Sequence, residues 1–302
     1  MRCDDDTLGS RCADMAAAGG MALDPPCADR PPGTRHTLVA DPVVRAARAQ
    51  QKRELVLRFL RDEIWTCTEV VGLLLGVTYP AAHLLMKRLA AGGHTQFRAM
   101  FVPGTRGAKR VVLHGITAQG LAFAWGADEE IEARNPWEPS KTNALFVNHQ
   151  IEAQLARLRA EQLGWSNWQP ARVLMKQGLM KIPDAQAVDA EGTRVAVEIE
   201  REIKTGKRYE TIIGAYVASM KSTDLRWQRV DYLCPDADFA ARLARAFGLL
   251  KHIRLEVAGM PSRTGDLTQA HLNRFRFYAA KEWPGGPFLV AKVAGSGGQV
   301  TA

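Results

Sequence analysis

Residues 193–200 (TRVAVEIE) alternate between apolar and polar side chains. A period of two is the signature of a β-strand, because successive side chains point to opposite faces of a sheet. The two expected faces are Val195, Val197 and Ile199 on one side and Ala196, Glu198 and Glu200 on the other. Two carboxylates on one strand face repel each other unless a cation lies between them. The sequence therefore predicts a strand that presents a pair of acids to a cation.

A third acid precedes this strand. Asp184 follows Pro183 in a short upstream strand, and the turn signal at 189–192 (DAEG) separates the two strands. An antiparallel return across that turn would bring Asp184 beside Glu198. Hard cations such as Mg²⁺ are held by one or two carboxylates together with water and phosphate oxygens. We therefore expect the acids at this hairpin to supply the protein ligands of a divalent cation.

The order of these residues resembles a known motif. Pro183-Asp184, a hairpin, Glu198-Ile199-Glu200 and then Lys204 are similar to the PD-(D/E)XK nuclease motif. The longer run AVEIEREIKTGKRY, followed by Tyr216, resembles plasmid replication-relaxation proteins and the MobC-type conjugative relaxases. The resemblance covers roughly residues 45–260.

The resemblance implies cleavage of phosphodiester bonds with Mg²⁺ or Mn²⁺. Asp184 and Glu198 would hold the metal, and Glu200 would assist them. Glu200 stands where the motif usually has a lysine, but members of the superfamily can carry that lysine on the following helix. Lys204 is then the first candidate for the catalytic lysine, and Lys207 is the second.

Accessory residues are also implied by the resemblance. Nuclease domains of this type open with a helix, expected here at 143–163, and Glu152 would be a further acid on it. A strand is expected near 171–175. Whether Tyr209 or Tyr216 forms a covalent link to DNA is left open, although helix packing is favoured for both. Conventional tyrosine relaxases are disfavoured, because they need a tight histidine cluster and the seven histidines are scattered.

The first third of the chain predicts three helices. Helical periodicity begins at Val43, and Thr66-Cys67-Thr68-Glu69 reads as a capping box at the start of a second helix that ends near Gly76. Thr78-Tyr79-Pro80 opens a third helix. Three helices with a tight turn between the second and the third are a helix-turn-helix.

Two strands are expected behind these helices. They lie at 96–102 and 110–113, and a basic tip at 103–109 joins them. Such a ribbon is the wing of a winged helix. We therefore expect a winged-helix DNA-binding domain over residues 43–126.

This domain is expected to bind double-stranded DNA at an origin of transfer or replication. The third helix would enter the major groove and the hairpin tip would reach phosphates. Both carry positive charge, which favours DNA over the protein contacts that such modules also make. The side chains expected to touch DNA are Tyr79, His83 and Lys87 on the helix and Arg106, Lys109 and Arg110 at the tip.

The fold class is expected to be α+β, an N-terminal winged helix-turn-helix followed by an α/β PD-(D/E)XK nuclease-like domain with a mixed sheet. Residues 1–42, rich in Pro, Gly, Ala and Asp, predict a disordered tail. Residues 127–142 are acidic with two prolines and predict a linker. The nuclease-like domain is expected over 143–260 and a C-terminal extension over 261–302.

The composition indicates which kinds of partner the chain could bind. The formal net charge is +8, which favours a polyanionic partner. No apolar run approaches the ~20 residues needed to span a bilayer, so we expect a cytoplasmic protein without a membrane partner. The five cysteines show neither a Cys-x-x-Cys pair nor zinc spacing.

These patterns favour a DNA-binding, metal-dependent endonuclease that nicks a specific origin for plasmid mobilisation or replication, with other mobilisation or replication proteins as partners. A second hypothesis is a non-catalytic winged-helix regulator or replication accessory protein with a degenerate nuclease fold, which Glu200 in the lysine position favours. A third is a restriction-type or transposase-type nuclease that makes double-strand breaks.

Overall fold

A computed structural model describes residues 41–104, 107–175, 181–221, 226–255 and 262–293. The chain divides after Arg48 into two units, and the larger unit runs from Ala49 to Ala302. Two expectations lie outside the described residues: Arg106 at the hairpin tip, and the disordered tail at 1–42 except for its last two residues.

The first part of the chain contains helices and a small antiparallel sheet. Its elements are α1 (Pro42–Glu63), β1 (Trp65–Cys67), α2 (Thr68–Leu75), α3 (Tyr79–Ala91), β2 (Thr95–Gly104), β3 (Gly107–Ile116) and α4 (Ala118–Ala122). The strand order is β1-β3-β2, and both pairs are antiparallel. The helices share one buried cluster, which includes Val56, Leu57, Leu60, Val71, Ala82, Met86, Leu89 and Leu121.

The predicted capping box of α2 is wrong. Thr66 lies in β1 opposite His114 of β3, and its hydroxyl donates to Gln154 Oε1 at 2.8 Å. The N-cap of α2 is therefore Cys67, whose side chain makes no capping hydrogen bond. Gly76 ends α2 as predicted, because its φ of 59° is the left-handed conformation that favours glycine.

Strands β2 and β3 are longer than predicted. Their pairing runs from Thr95 opposite Ile116 to Gly104 opposite Gly107. Much of the expected loop at 103–109 is therefore paired. Gly107 has a φ of 109°, which glycine adopts at no steric cost, and this permits the tight reversal.

The rest of the chain is built around a second sheet. Its elements are α5 (Ala144–Gln162), β4 (Ser166–Pro170), α6 (Ala171–Leu174), β5 (Ala185–Val188), β6 (Arg194–Ile199), α7 (Gly206–Lys221), β7 (Arg229–Cys234), α8 (Ala237–Gly248), β8 (His252–Leu255), β9 (Arg263–Asp266), α9 (Gln269–Leu272) and β10 (Phe275–Ala279). The strand order is β10-β7-β6-β5-β4, parallel from β10 to β6 and antiparallel from β6 to β4. Strands β8 and β9 form a separate antiparallel pair. The chain is thus α+β with a mixed sheet, as predicted.

Two segments of this part differ from expectation. The strand expected near 171–175 is the short helix α6, and the strand β4 ends just before it at Pro170. Residues 261–302 contribute β10 to the main sheet, where Phe275 and Phe277 are buried. The alternating phenylalanines are visible in the sequence, but only the parallel pairing with β7 shows where that strand belongs.

Helix α5 packs against both sheets. Val147 and Leu158 lie in a buried cluster with residues of α2 and the first sheet. Ala156 and Ala160 lie in another cluster with residues of β5 and β6. The opposite face of the main sheet is covered by α7 and α8. The main sheet is therefore a middle layer between α5 and the α7–α8 pair.

Residues 127–142, predicted to be a linker, pack on the first sheet through Trp137. Its N donates to the carbonyl of Ile116 at 2.8 Å. Its ring lies so close to Gly115 that a Cβ there would come within 2.2 Å of ring atoms. A glycine is therefore needed in β3 where the tryptophan ring crosses it.

No single helix among the described residues has both the length and the apolar character needed to cross a membrane. Helices α2 and α3 reach that length and apolar character only as a pair, and the axes of the two helices are bent by 108° at the break between them. Cys67 and Cys234 are buried thiols that form no disulfide.

Candidate active site

The predicted acids meet at the end of the β5–β6 hairpin. Ala185 lies opposite Val197, so Asp184 and Glu198 occupy the next opposed positions. The backbone N of Ile199 donates to Asp184 Oδ2 at 2.7 Å, which fixes the aspartate against β6. The hairpin register is therefore the one that the sequence predicted.

Glu198 is buried and paired. Its Oε1 lies 2.5 Å from Lys181 Nζ and accepts a hydrogen bond from the Tyr216 hydroxyl. Burial raises the pKa of Glu198 to about 7; Lys181 opposes the rise and the negative charge of Asp184 adds to it. A carboxyl with a pKa near neutrality can take up or release a proton under physiological conditions, which is a property of catalytic groups.

His149 of α5 reaches the same acids. Its Nε2 lies 3.0 Å from Asp184 Oδ1. Burial alone would lower the pKa of His149, but the hydrogen bond and charge of Asp184 outweigh it, so the pKa is raised. Burial likewise opposes the effect of His149 on Asp184, yet the pKa of that aspartate is lowered. The two residues therefore favour each other's charged form.

Glu200 has different partners. It is buried, and both the Lys204 ammonium and the Tyr209 hydroxyl contact its Oε2. Lys204 lies in the loop before α7 rather than on the helix, and its backbone N donates to the Tyr209 hydroxyl at 3.0 Å. The expected catalytic lysine thus neutralises Glu200, whereas the ammonium at Glu198 is that of Lys181.

The predicted accessory residues differ in their surroundings. Glu152 Oε1 is 2.6 Å from Arg201 Nη1, in a pair that is about two-fifths exposed. Lys207 is exposed in the first turn of α7. The rings of Tyr209 and Tyr216 are buried between α7 and the main sheet. The two tyrosines therefore pack in the core, and their hydroxyls orient Glu200 and Glu198.

Lys181 and His149 are the residues that sequence reasoning did not assign to the site. Lys181 precedes Asp184 by three positions, a spacing that could have drawn attention to it. His149 precedes Glu152 by three positions on α5, which puts both on one helix face. Neither spacing reveals that the side chains converge on the hairpin, because that depends on how α5 crosses the main sheet.

The residues predicted to touch DNA are exposed where the structure describes them. Tyr79, His83 and Lys87 recur at intervals of four along α3, so they share one face. The Tyr79 and His83 rings are stacked, with centroids 6.2 Å apart. Lys109 and Arg110 are exposed at the start of β3.

Two carboxylates of the site could hold a divalent ion. In the described parts of the chain, no group of three His, Cys, Asp or Glu side chains is arranged to hold a metal. Mg²⁺ commonly needs only one or two carboxylates, with water and substrate phosphate completing its coordination. Asp184 and Glu198 fit that requirement, and they do not fit a closed, four-ligand zinc site. Their present partners, His149 and Lys181, would have to yield carboxylate oxygens to the ion.

The raised pKa of Glu198 implies that the stability of the fold depends on pH. Between about pH 4.5 and about pH 7 the folded protein retains a proton that the unfolded chain has released, so stability falls as pH rises through this window. Glu198→Gln removes the titrating group. We expect the variant to be more stable than the wild type above about pH 7, by up to ~3 kcal/mol, with little gain below about pH 4.5. Denaturant unfolding across that range measures it; equal differences at every pH would contradict it.

Comparisons of this chain with protein-family models, with curated proteins and with solved structures each found no match. The fold and the site define the class: an α+β protein with a mixed sheet, whose main hairpin ends in a partly buried cluster of acids, a lysine and a histidine.

Proposed function

We propose that this chain is a DNA-binding, divalent-metal-dependent endonuclease of the relaxase type, which nicks plasmid or conjugative-element DNA at a specific origin. The observation that carries the proposal is the convergence of Asp184, Glu198 and Lys181 at one hairpin end. Two acids and an ammonium in one place supply metal ligands and a positive group for a phosphate. The proposal includes a PD-(D/E)XK-like assignment for the main sheet.

The proposal assigns DNA binding to a winged-helix domain formed by the first part of the chain. Its support is the element order α1-β1-α2-α3-β2-β3, with a long two-stranded ribbon following α3. Further support comes from the exposed basic side chains Lys87, Lys109 and Arg110 on the helix and the ribbon. In a cytoplasmic setting this domain would select the double-stranded origin, alongside other mobilisation or replication proteins.

The chemistry follows from the cluster. Mg²⁺ or Mn²⁺, when bound, would polarise phosphoryl oxygens and lower the pKa of water. Lys181, together with His149 when it is protonated, supplies positive charge where a phosphate must approach two acids. The Tyr216 hydroxyl donates to Glu198 and so fixes the orientation of the second acid that would hold the ion.

Nicking of supercoiled plasmid that carries the cognate origin tests the proposal. Wild-type protein is expected to yield nicked circles with Mg²⁺ or Mn²⁺ and none with a chelator. Asp184→Asn removes a metal-binding charge and is expected to reduce the product below detection, whereas Lys207→Gln, an exposed change outside the cluster, retains it. No nicked product from the wild type, or equal product from Asp184→Asn, would overturn the proposal. Linear product would instead indicate double-strand cleavage.

A second candidate function is a non-catalytic DNA-binding regulator. It is favoured by the pairing of each acid with a protein cation: Asp184 with His149, Glu198 with Lys181 and Glu200 with Lys204. Such pairs stabilise a fold without any metal. Sequence-specific DNA binding that survives a chelator, with no cleavage under either metal, would select this function.

A further inference from the structure

Strand β2 carries two exposed aromatic rings on one face. Phe97 is 66% exposed and Phe101 is 67% exposed. Ala99, exposed as well, lies between them on the same face, because side chains alternate along a strand. Large apolar side chains exposed in a row usually mark a binding surface. We call Phe97, Ala99 and Phe101 the aromatic stripe.

Positive charge borders the aromatic stripe. Arg110 lies directly opposite Phe101 in the β2–β3 pairing, so the two side chains share one face of the ribbon. The Arg110 side chain is exposed, and it is not paired with an acid among the described residues. A polyanion is therefore favoured over an apolar partner at this end of the stripe.

The other end of the stripe lies toward the exposed face of α3. Phe97 is opposite His114, a buried residue of β3. Burial lowers the pKa of His114 to about 4, and the charge of nearby His83 contributes, whereas Glu69 opposes the shift. His83 of α3 and Phe97 of β2 thus lie near the same residue. The acid at this end is Glu69, which lies in the first turn of α2.

We propose that the aromatic stripe binds unpaired bases of single-stranded DNA. Paired bases are stacked in a duplex and offer no ring face to Phe97 or Phe101, whereas an unpaired base can stack on either ring while Arg110 meets a phosphate. Strand spacing puts the two phenylalanines about 14 Å apart, so each ring takes its own base. The inference rests on the proposed function and deepens it: the protein holds one separated strand of the origin that it nicks.

Binding of labelled oligonucleotides, single-stranded and duplex, tests the inference. Replacing an aromatic residue that stacks on a base weakens single-strand binding by about tenfold. Phe97→Ala/Phe101→Ala is therefore expected to bind the single strand about 100-fold more weakly, and to bind the duplex about as well as the wild type. Arg110→Gln is expected to weaken single-strand binding and to flatten its salt dependence by roughly one unit of slope.

Phe146→Ala is the matched control. Phe146 is 63% exposed but lies on α5, which packs against the opposite face of the β2–β3 ribbon through Val147 and Val102. It is expected to leave both affinities unchanged, and denaturant unfolding of each variant confirms that the fold is retained.

The inference would be overturned by an absence of single-strand binding in the wild type, or by equal loss of binding in the stripe variant and the Phe146→Ala control. A concentration-dependent dimer that dissociates in the stripe variant, without a change in DNA affinity, would assign the stripe to a second copy of the chain and likewise overturn it. Nicking by the wild type is scored separately. If the wild type nicks DNA but the stripe variant binds single strands as well as the wild type does, only the inference is overturned. If single-strand binding depends on the stripe but no nicking occurs, only the proposed function is overturned.

Discussion

Lys181→Met is expected to slow nicking by about 10²–10³-fold. The Lys181 ammonium lies 2.5 Å from Glu198 Oε1 and is about one-fifth exposed, so a positive group is in direct contact with the acid whose pKa is raised. Its removal takes away charge that would stabilise a phosphate at the two acids. Initial rates on supercoiled plasmid, at saturating protein and fixed salt, measure the effect.

Lys204→Met tests whether Lys204, the catalytic lysine that the motif implied, contributes as much to nicking as Lys181. Lys204 pairs with Glu200, one strand position beyond Ile199. We expect replacement of Lys204 to reduce nicking less than Lys181→Met does, because the Lys204 ammonium is paired with Glu200 rather than with the acids that would hold the metal. A larger loss in Lys204→Met would return the catalytic lysine to the position that the motif implied. Lys207→Met, exposed and outside the cluster, sets the baseline for loss of one positive charge.

Arg157→Met is expected to lower the free energy of unfolding by about 3–5 kcal/mol. Arg157 Nη1 lies 2.9 Å from Glu63 Oε1, and Glu63 is only 3% exposed. Its other nitrogens contact Asp62 and Glu161. Removing the guanidinium leaves the buried Glu63 carboxylate without its ion-pair partner, with only the charge of Arg172 still acting on it. This is more costly than loss of an exposed pair. Urea unfolding near neutral pH measures the difference.

Two further variants make the test specific. Glu63→Gln/Arg157→Met removes both charges, so it is expected to be more stable than Arg157→Met alone. Arg201→Met breaks the exposed Glu152 pair and should cost no more than about 1 kcal/mol. If Arg157→Met costs no more than Arg201→Met, the buried pair does not hold α5 in place.

Local patterns anticipated much of the fold. The alternation in β6 correctly separated Val195, Val197 and Ile199, which pack with α5, from Ala196, which packs with α7 and α8. The turn at 189–192 correctly placed Asp184 opposite Glu198. Side-chain direction in a strand and the register of a short hairpin depend on neighbouring residues, so a sequence can reveal them.

Other features could not be predicted from local sequence, because they depend on residues far away along the chain. Thr66 looked like a helix cap, but Gln154 of α5 and the pairing with β3 hold it in a strand. The strand β10 looked like part of an extension, because nothing local shows that it pairs with β7. In each case a partner far along the chain overrides the local preference.

By itself, the sequence determined the acids, their common hairpin and the helical periods of the first part, since each is set by residues within a few positions of one another. Only the tertiary structure decided which cation meets which acid. Packing of α5 brings His149 to Asp184, and the chain before β5 brings Lys181 to Glu198, leaving Lys204 to Glu200. Ion pairs in a partly buried site depend on how distant elements cross and on how far water is excluded, and neither is a property of local sequence.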